Sequence, residues 1–421
     1  MVKIDPAFFH RLHGIRKPRT CYYRRDFVDY TLMLAATVAV AGLSFGFRHG
    51  MAIAAFVMCG IMLLTFIARH GVELRVPLIL RRPQDLFYMF VYKLRNLKPE
   101  WFVALALLLL ENVLIAATPN LPHHVDWMRT AALWLFYAHF AGITVYRTAI
   151  FADHLSKKEL VREILMQTPW KRTITPKTNM TVEIVHAYVT GLLTHILFVA
   201  GWYLIITHAR FSLLFVPVVC ILDFFIELRW HRTINRWFYR EHWVGHNSEL
   251  EFVYLHGNHH DAIPSGMIAV GETGVMEGYF RNIIGTPVPF YNPITAFLFL
   301  SHTVWFDMLT HQYIPGVYPR LPKLFLAVTQ HATHHFGQLA PYGFATKTDQ
   351  PDTADKVKTS SMRYLPRELT NSIELDEQLT GFQWDNPTYR NTLSLYDRYG
   401  KRKAAPAAEP AAVAPVQGSP S

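Results

Sequence analysis

Mostly apolar stretches of 16 to 23 residues come in pairs along this chain, each pair closed by a short connection and followed by a longer polar stretch. At 1.5 Å per residue such a run matches the hydrocarbon thickness of a bilayer. A helix on the surface of a soluble protein would interrupt it with a charged face. The first pair covers 30–47 and 51–68, the second 101–118 and 130–146, and the third 184–206 and 211–228. A weaker fourth hairpin is predicted over 275–309, turning at Pro287, Pro289 and Pro293, where proline removes a backbone donor. The expected fold is all-α: a polytopic membrane bundle of helical hairpins with six to eight transmembrane helices.

Composition agrees with that solvent. The 421 residues are 51% hydrophobic, 14% aromatic and only 17% charged, against about 25% charged in a soluble domain. Disorder, coiled coil and an ordinary cytosolic enzyme are thereby excluded for the whole chain. The net charge of +10 sits in loops between apolar runs, where lipid headgroups and topology account for it, so no nucleic-acid partner is expected. The amino-terminal segment, residues 69–100 and residues 147–183 hold seven Lys and Arg each, whereas the opposite connections hold one each, Arg48, Arg129 and Arg210. By the positive-inside rule the long loops face the cytoplasm. Residues 85–97 mix aromatics with Lys93 and Arg95, which predicts a helix lying in the interface.

The expected organisation is a basic cytoplasmic amino terminus (1–29), additional membrane hairpins and interfacial loops (30–183), a histidine-rich catalytic region (184–348), a cytoplasmic segment (349–402) and a disordered Ala- and Pro-rich tail (403–421). The first apolar run is read as retained, for want of a small-residue cleavage site. Cys21, Cys59 and Cys220 show no C-x-x-C spacing, so neither a disulfide framework nor a thiolate metal site is implied.

Histidine is the unusual component, with 22 copies. Three clusters lie on the predicted cytoplasmic side: His242 and His246 as HxxxH; His256, His259 and His260 as HxxHH; and His331, His334 and His335, again HxxHH. On helices, positions i, i+3 and i+4 share one face, so the clusters would project eight imidazoles into a common volume. Neutral imidazole suits Fe, Zn, Cu or Ni, and eight donors exceed the needs of one ion, which argues for two. One HxxHH window arises by chance with a probability of about 10⁻⁴ at this histidine content, so two in one chain are expected in roughly one chain per thousand.

HxxxH, then HxxHH nine residues on, a hairpin, a second HxxHH and the following Pro341-Tyr342-Gly343-Phe344 together resemble the fatty acid hydroxylase and sterol desaturase superfamily of membrane di-iron proteins. The resemblance covers about 211–344. It implies a cytoplasmic di-metal cap, two iron ions, O2 as co-substrate, and His311 as a ninth ligand beside His242, His246, His256, His259, His260, His331, His334 and His335. His231 is set aside as the first ligand because Asn235 stands where its partner would be needed. The activity implied is oxygen-dependent hydroxylation of an alkyl C–H in a membrane lipid (fatty acyl, sterol or isoprenoid), with lipid desaturation as the alternative. There is no His-Pro-Gly-Gly haem motif, no cysteine cluster and no G-x-G-x-x-G fingerprint. An external electron donor of ferredoxin, rubredoxin or cytochrome b5 type is therefore expected, met by Arg229, Arg232, Arg236 and Arg240. A bacterial plasma membrane fits the absence of an ER-retrieval signal, with the ER as the alternative location.

The alternative from another class is a membrane metal transporter or metal-binding protein. It would use Glu111, His139, His186 and His195 within the apolar runs, which show no regular spacing. A metalloprotease would need HExxH, which is absent. His186 and His195, nine apart, fall on opposite sides of one helix and are read as core or interhelical hydrogen-bonding residues. Glu111 should face the bundle interior. His123 and His124 are expected to be solvated or to face lipid headgroups at the outer side. His302 lies in an apolar run near the clusters, as a candidate to line a substrate pocket.

Overall fold

The computed structural model describes residues 27–72, 99–159, 179–226 and 228–229, with isolated positions between 74 and 97 and at 162, 294 and 297. Among the described residues all regular structure is helical, without strands. Five long helices appear in order: α1 (Phe27–Phe45), α2 (Gly50–His70), α3 (Pro99–Ala117), α4 (Val125–Ser156) and α5 (Met180–His208). A 3-10 turn over Leu213–Phe215 forms the start of α6 (Leu213–Ile226). The predicted fourth hairpin, apart from Ile294 and Phe297, and the segments 1–26, 349–402 and 403–421 lie outside the described residues.

Four of these helices, α1, α2, α3 and α5, are long and apolar enough to cross a membrane. Two predicted spans differ from expectation. Helix α4 runs for 32 residues, well past the apolar stretch that ends at Tyr146, because no Gly or Pro stands between Arg147 and Ser156 to stop it. Helix α6 is shorter, in the class of 10–17 residues; at 1.5 Å per residue it reaches only about 20 Å.

The helix ends follow from local chemistry. Gly46 adopts φ 66, a conformation that costs glycine little, and its N–H returns to Gly42 O at 2.9 Å to close α1. Asn179 caps α5 by accepting from Thr181 N at 3.0 Å. Inside the bundle, threonine hydroxyls satisfy themselves on the preceding turn: Thr37 on Met33 O at 2.8 Å, Thr190 on His186 O at 2.6 Å and Thr194 on Thr190 O at 2.9 Å.

Helix α5 is the centre, packing against α1, α2 and α4, while α1 also packs on α2. In lipid this association rests on close packing and interhelical hydrogen bonds, since hydrocarbon outside is as apolar as leucine inside. Tyr30 stacks on Phe66 at 4.2 Å, and Phe136 meets Trp202 edge-on at 5.2 Å. Helix α3 touches that core through Trp101 and pairs with α6 through Ala104, Val219 and Ile226.

The three short connections gather at one end. Tyr203 OH meets His49 Nε2 at 3.0 Å, Arg129 donates to Ala209 O at 3.3 Å, and Leu213 N donates to His123 O at 3.1 Å. At the other end stand the ion pairs Arg69–Glu183 (2.8 Å) and Arg229–Glu100 (3.1 Å).

Candidate functional site

The nine predicted metal-ligating histidines, His242, His246, His256, His259, His260, His311, His331, His334 and His335, lie outside the described residues, as do His231 and His302. What is described is the scaffold that leads to them. Helix α6 descends from the end with the short connections to the charged end, where Arg229 Nε donates to the buried carboxylate of Glu100. The first predicted ligand, His242, follows 13 residues later in sequence. Among the described residues, no three His, Cys, Asp or Glu side chains come together to hold a metal ion.

A polar seam runs through the interior between α4 and α5. On α4 the buried positions His139, Ile143, Arg147, Ile150 and His154 recur every three or four residues, marking one helical face. His195 of α5 faces His139 with ring centroids 5.3 Å apart and is stacked on Phe140 at 5.9 Å. The edge of Trp202 (5.8 Å) and Phe297 (6.2 Å) close over His139. His195 Nε2 is buried and has no hydrogen-bond partner among the described residues. Further along α4, His154 is fully enclosed. Burial pushes its pKa down to about 3, and the nearby Lys157 ammonium adds to the effect.

The opposite side of α5 carries a second polar group. His186 Nδ1 lies 2.6 Å from Thr65 Oγ1, whose own hydroxyl points to Met62 O at 2.9 Å. The threonine oxygen is therefore the acceptor from the imidazole N–H. One turn away, Arg69 Nε donates to Glu183 Oε1 at 2.8 Å, with both side chains almost wholly buried. His186 and His195 thus project to opposite sides, His186 toward α1 and α2 and His195 toward α4, as their nine-residue spacing requires.

Glu111 faces the interior as expected, and the structure supplies its partner: Oε1 accepts from Ser212 N at 2.9 Å. Asn112 Oδ1 accepts from Arg210 N at 2.9 Å. His123 is a correction, because it is buried rather than solvated. Its Nε2–H donates to Thr118 O at 2.8 Å, which leaves Nδ1 to accept from the Ser212 hydroxyl at 2.8 Å. The reason is that the two connections fold over each other; a partner 89 residues away leaves no local trace in the pattern. His124 is exposed as expected.

Sequence placed His139 and His195 in separate apolar runs without regular spacing, which did not disclose their meeting. Only the three- and four-residue recurrence of 139, 143, 147, 150 and 154 could have disclosed the α4 face, and the charge of Arg147 breaks the apolar pattern that would have drawn attention to it. Comparison with protein-family models, with curated proteins and with solved structures finds nothing that matches this chain.

Proposed function

We propose that this chain is an O2-dependent oxidase of the membrane di-iron type, hydroxylating an alkyl C–H of a lipid, fatty acyl, sterol or isoprenoid. The observation that carries the reading is the order and spacing of HxxxH, HxxHH and HxxHH after a set of apolar helices. The donor chemistry fits: nine imidazoles, His242, His246, His256, His259, His260, His311, His331, His334 and His335, are neutral ligands suited to iron and leave positions open for oxygen. When bound, the iron pair supplies the oxidising power that amino-acid side chains lack. The chain itself holds the metal ligands near the bilayer surface, so that an apolar substrate enters from the lipid while electrons arrive from water. Support comes from the exit of α6 at the end that bears the Arg69–Glu183 and Arg229–Glu100 pairs. On this reading that end faces the cytoplasm of a bacterial plasma membrane, and Arg229, Arg232, Arg236 and Arg240 receive an acidic ferredoxin, rubredoxin or cytochrome b5 type donor.

The test is mass-spectrometric profiling of membrane lipids from cells expressing the wild type or His259→Ala, with and without oxygen, together with iron content. A lipid that gains one oxygen atom, depends on His259 and depends on O2 is the expected result. A product lacking two hydrogens assigns desaturation to the same site. An unchanged lipid profile with unchanged iron in His259→Ala rejects the assignment.

A further inference from the structure

The apolar contacts divide the described helices into two groups. One core gathers buried side chains of α1, α2, α4 and α5, and the other joins α3 to α6 through Ala104, Val219 and Ile226. This division cuts across the hairpins, because α3 and α4 are the arms of one and α5 and α6 the arms of the next. Trp101, at the charged end of α3, packs against the larger core.

Polar contacts follow the same division. Glu111 Oε1 accepts from Ser212 N and Asn112 Oδ1 from Arg210 N, both at 2.9 Å, and Arg229 Nε donates to Glu100 Oε1 at 3.1 Å. Glu100 and Glu111 are eleven residues apart, which puts them on one face of α3 about 16 Å from each other. Helix α6 and its leading connection are therefore clipped to α3 at both ends. His123 belongs to the same group: its ring bonds Thr118 O and the Ser212 hydroxyl, and its carbonyl accepts from Leu213 N. In hydrocarbon no water replaces a broken hydrogen bond, so these clips persist. Apolar surface behaves differently, since lipid chains cover it as well as side chains do. The packing of Trp101 on the core can thus be exchanged for lipid at little cost.

The chain passes between the two groups at two places, both at the short-connection end. One is His124, the N-cap of α4, with φ 52 and ψ 38 and no side-chain cap. The other is Ala209, the extended C-cap of α5. A left-handed backbone is sparsely populated by residues other than glycine, and residues at the ends of elements are those that absorb the φ/ψ changes of hinge motions. The bond from Leu213 N to His123 O holds the two passages side by side. Two adjacent hinges define an axis, and the far end of the pair, with Glu100, Trp101 and Arg229, sweeps the widest arc about it.

We propose that α3 and α6 swing as one body about His124 and Ala209, opening the bundle at the charged end so that a lipid chain reaches the oxidase site from the bilayer. What the movement serves rests on the oxidase reading; the movement itself does not.

The experiment uses the full chain in detergent with Cys21→Ser and Cys220→Ser, the buried Cys59 being left in place. Spin labels are attached to introduced cysteines at exposed positions, and their separations are measured by pulsed electron paramagnetic resonance. Leu64→Cys with Phe102→Cys reports across the two groups at the charged end, Ile53→Cys with Val113→Cys at the short-connection end, and Phe102→Cys with Phe224→Cys within the pair. The expected result is a broad or two-peaked distribution for 64/102 and narrow ones for 53/113 and 102/224. A 64/102 distribution no broader than that of 53/113 overturns the swing. A 102/224 distribution as broad as that of 64/102 overturns movement as one body. If a labelled protein does not elute as a single monodisperse species, the exposed Ile67 and Leu105 take the labels in place of Leu64 and Phe102 and are read in the same way. Bridging the 64/102 cysteines with a bis-maleimide should then abolish lipid oxidation with iron content unchanged; oxidation at the unbridged rate overturns the gating role. Absence of oxidised lipid from the wild type itself rejects the oxidase reading and leaves the distances to decide the hinge.

Discussion

Helices α3 and α5 are equally credible as membrane spans from composition, yet 82% of the apolar window of α5 is buried in the bundle against 22% of that of α3. Hydrophobicity therefore assigns the solvent of a helix and says little about its place. What separates the two is their polar content. Helix α5 buries five polar side chains, Glu183, His186, Thr190, Thr194 and His195, where α3 buries two, Glu100 and Glu111. Helix α3 turns Phe102, Leu105, Leu109 and Val113 outward, toward a medium as apolar as they are. In a bilayer the central helix is recognised by what lipid cannot satisfy.

This contrast can be broken most severely at Arg69. Arg69→Met removes the guanidinium that pairs with the almost wholly buried Glu183, and removing one member of such a pair costs about 3–5 kcal/mol. Thermal unfolding in detergent should show that loss. The double variant Arg69→Met/Glu183→Leu should recover most of it, since no uncompensated charge remains; equal destabilisation by single and double variants would show that the pair does not hold α2 to α5.

Packing gives the next test. Leu193 of α5 is fully buried and Leu109 of α3 is 58% exposed. Leu193→Ala should cost about 2–4 kcal/mol through a cavity that its neighbours fill only in part. Leu109→Ala should cost under about 1 kcal/mol, because lipid or detergent closes over the gap. Similar losses at both positions would put α3 in a covered position.

A smaller effect is expected where α3 does meet the rest of the molecule. Glu111→Ala strands the buried Ser212 N–H, at about 1–3 kcal/mol. Glu111→Gln keeps an acceptor oxygen and should stay near wild type. Equal losses in the two variants would mean that the charge, not the acceptor, matters there.

The mildest test near neutral pH concerns His154, past the apolar part of α4. In the unfolded chain its imidazole titrates near 6.5, and in the folded protein near 3. Between those values the unfolded state binds more protons, so stability falls as pH falls, by up to about 1.4 kcal/mol per pH unit, and is level above about 6.5. His154→Leu should flatten that slope between pH 6.5 and 5; an unchanged slope would assign it to other groups.

Much of the helical framework was legible because a bilayer imposes one length and one polarity on whatever crosses it. Runs 51–68 and 184–206 reappear as α2 and α5 within a few residues. The extension of α4 beyond Tyr146 was missed because apolarity and helicity end at different places: Arg147 and His154 end the apolar run yet face the interior. His123 was misread for a related reason, since its burial comes from Ser212, far away in sequence. At the candidate site, the spacing of the histidine clusters carries chemistry without geometry, and their positions lie outside the described residues. The His139–His195 meeting went the other way, being plain in the packing and silent in the pattern.

The interlocked connections at the short-loop end also bear on how the chain is made. Glu111 emerges during synthesis about 100 residues before Ser212, the residue whose N–H it accepts. Until the third hairpin inserts, the second must carry an acidic side chain with its eventual donor still unsynthesised. A nascent chain halted between the two hairpins would therefore keep that carboxylate without this donor, and docking of α6 onto α3 would supply it.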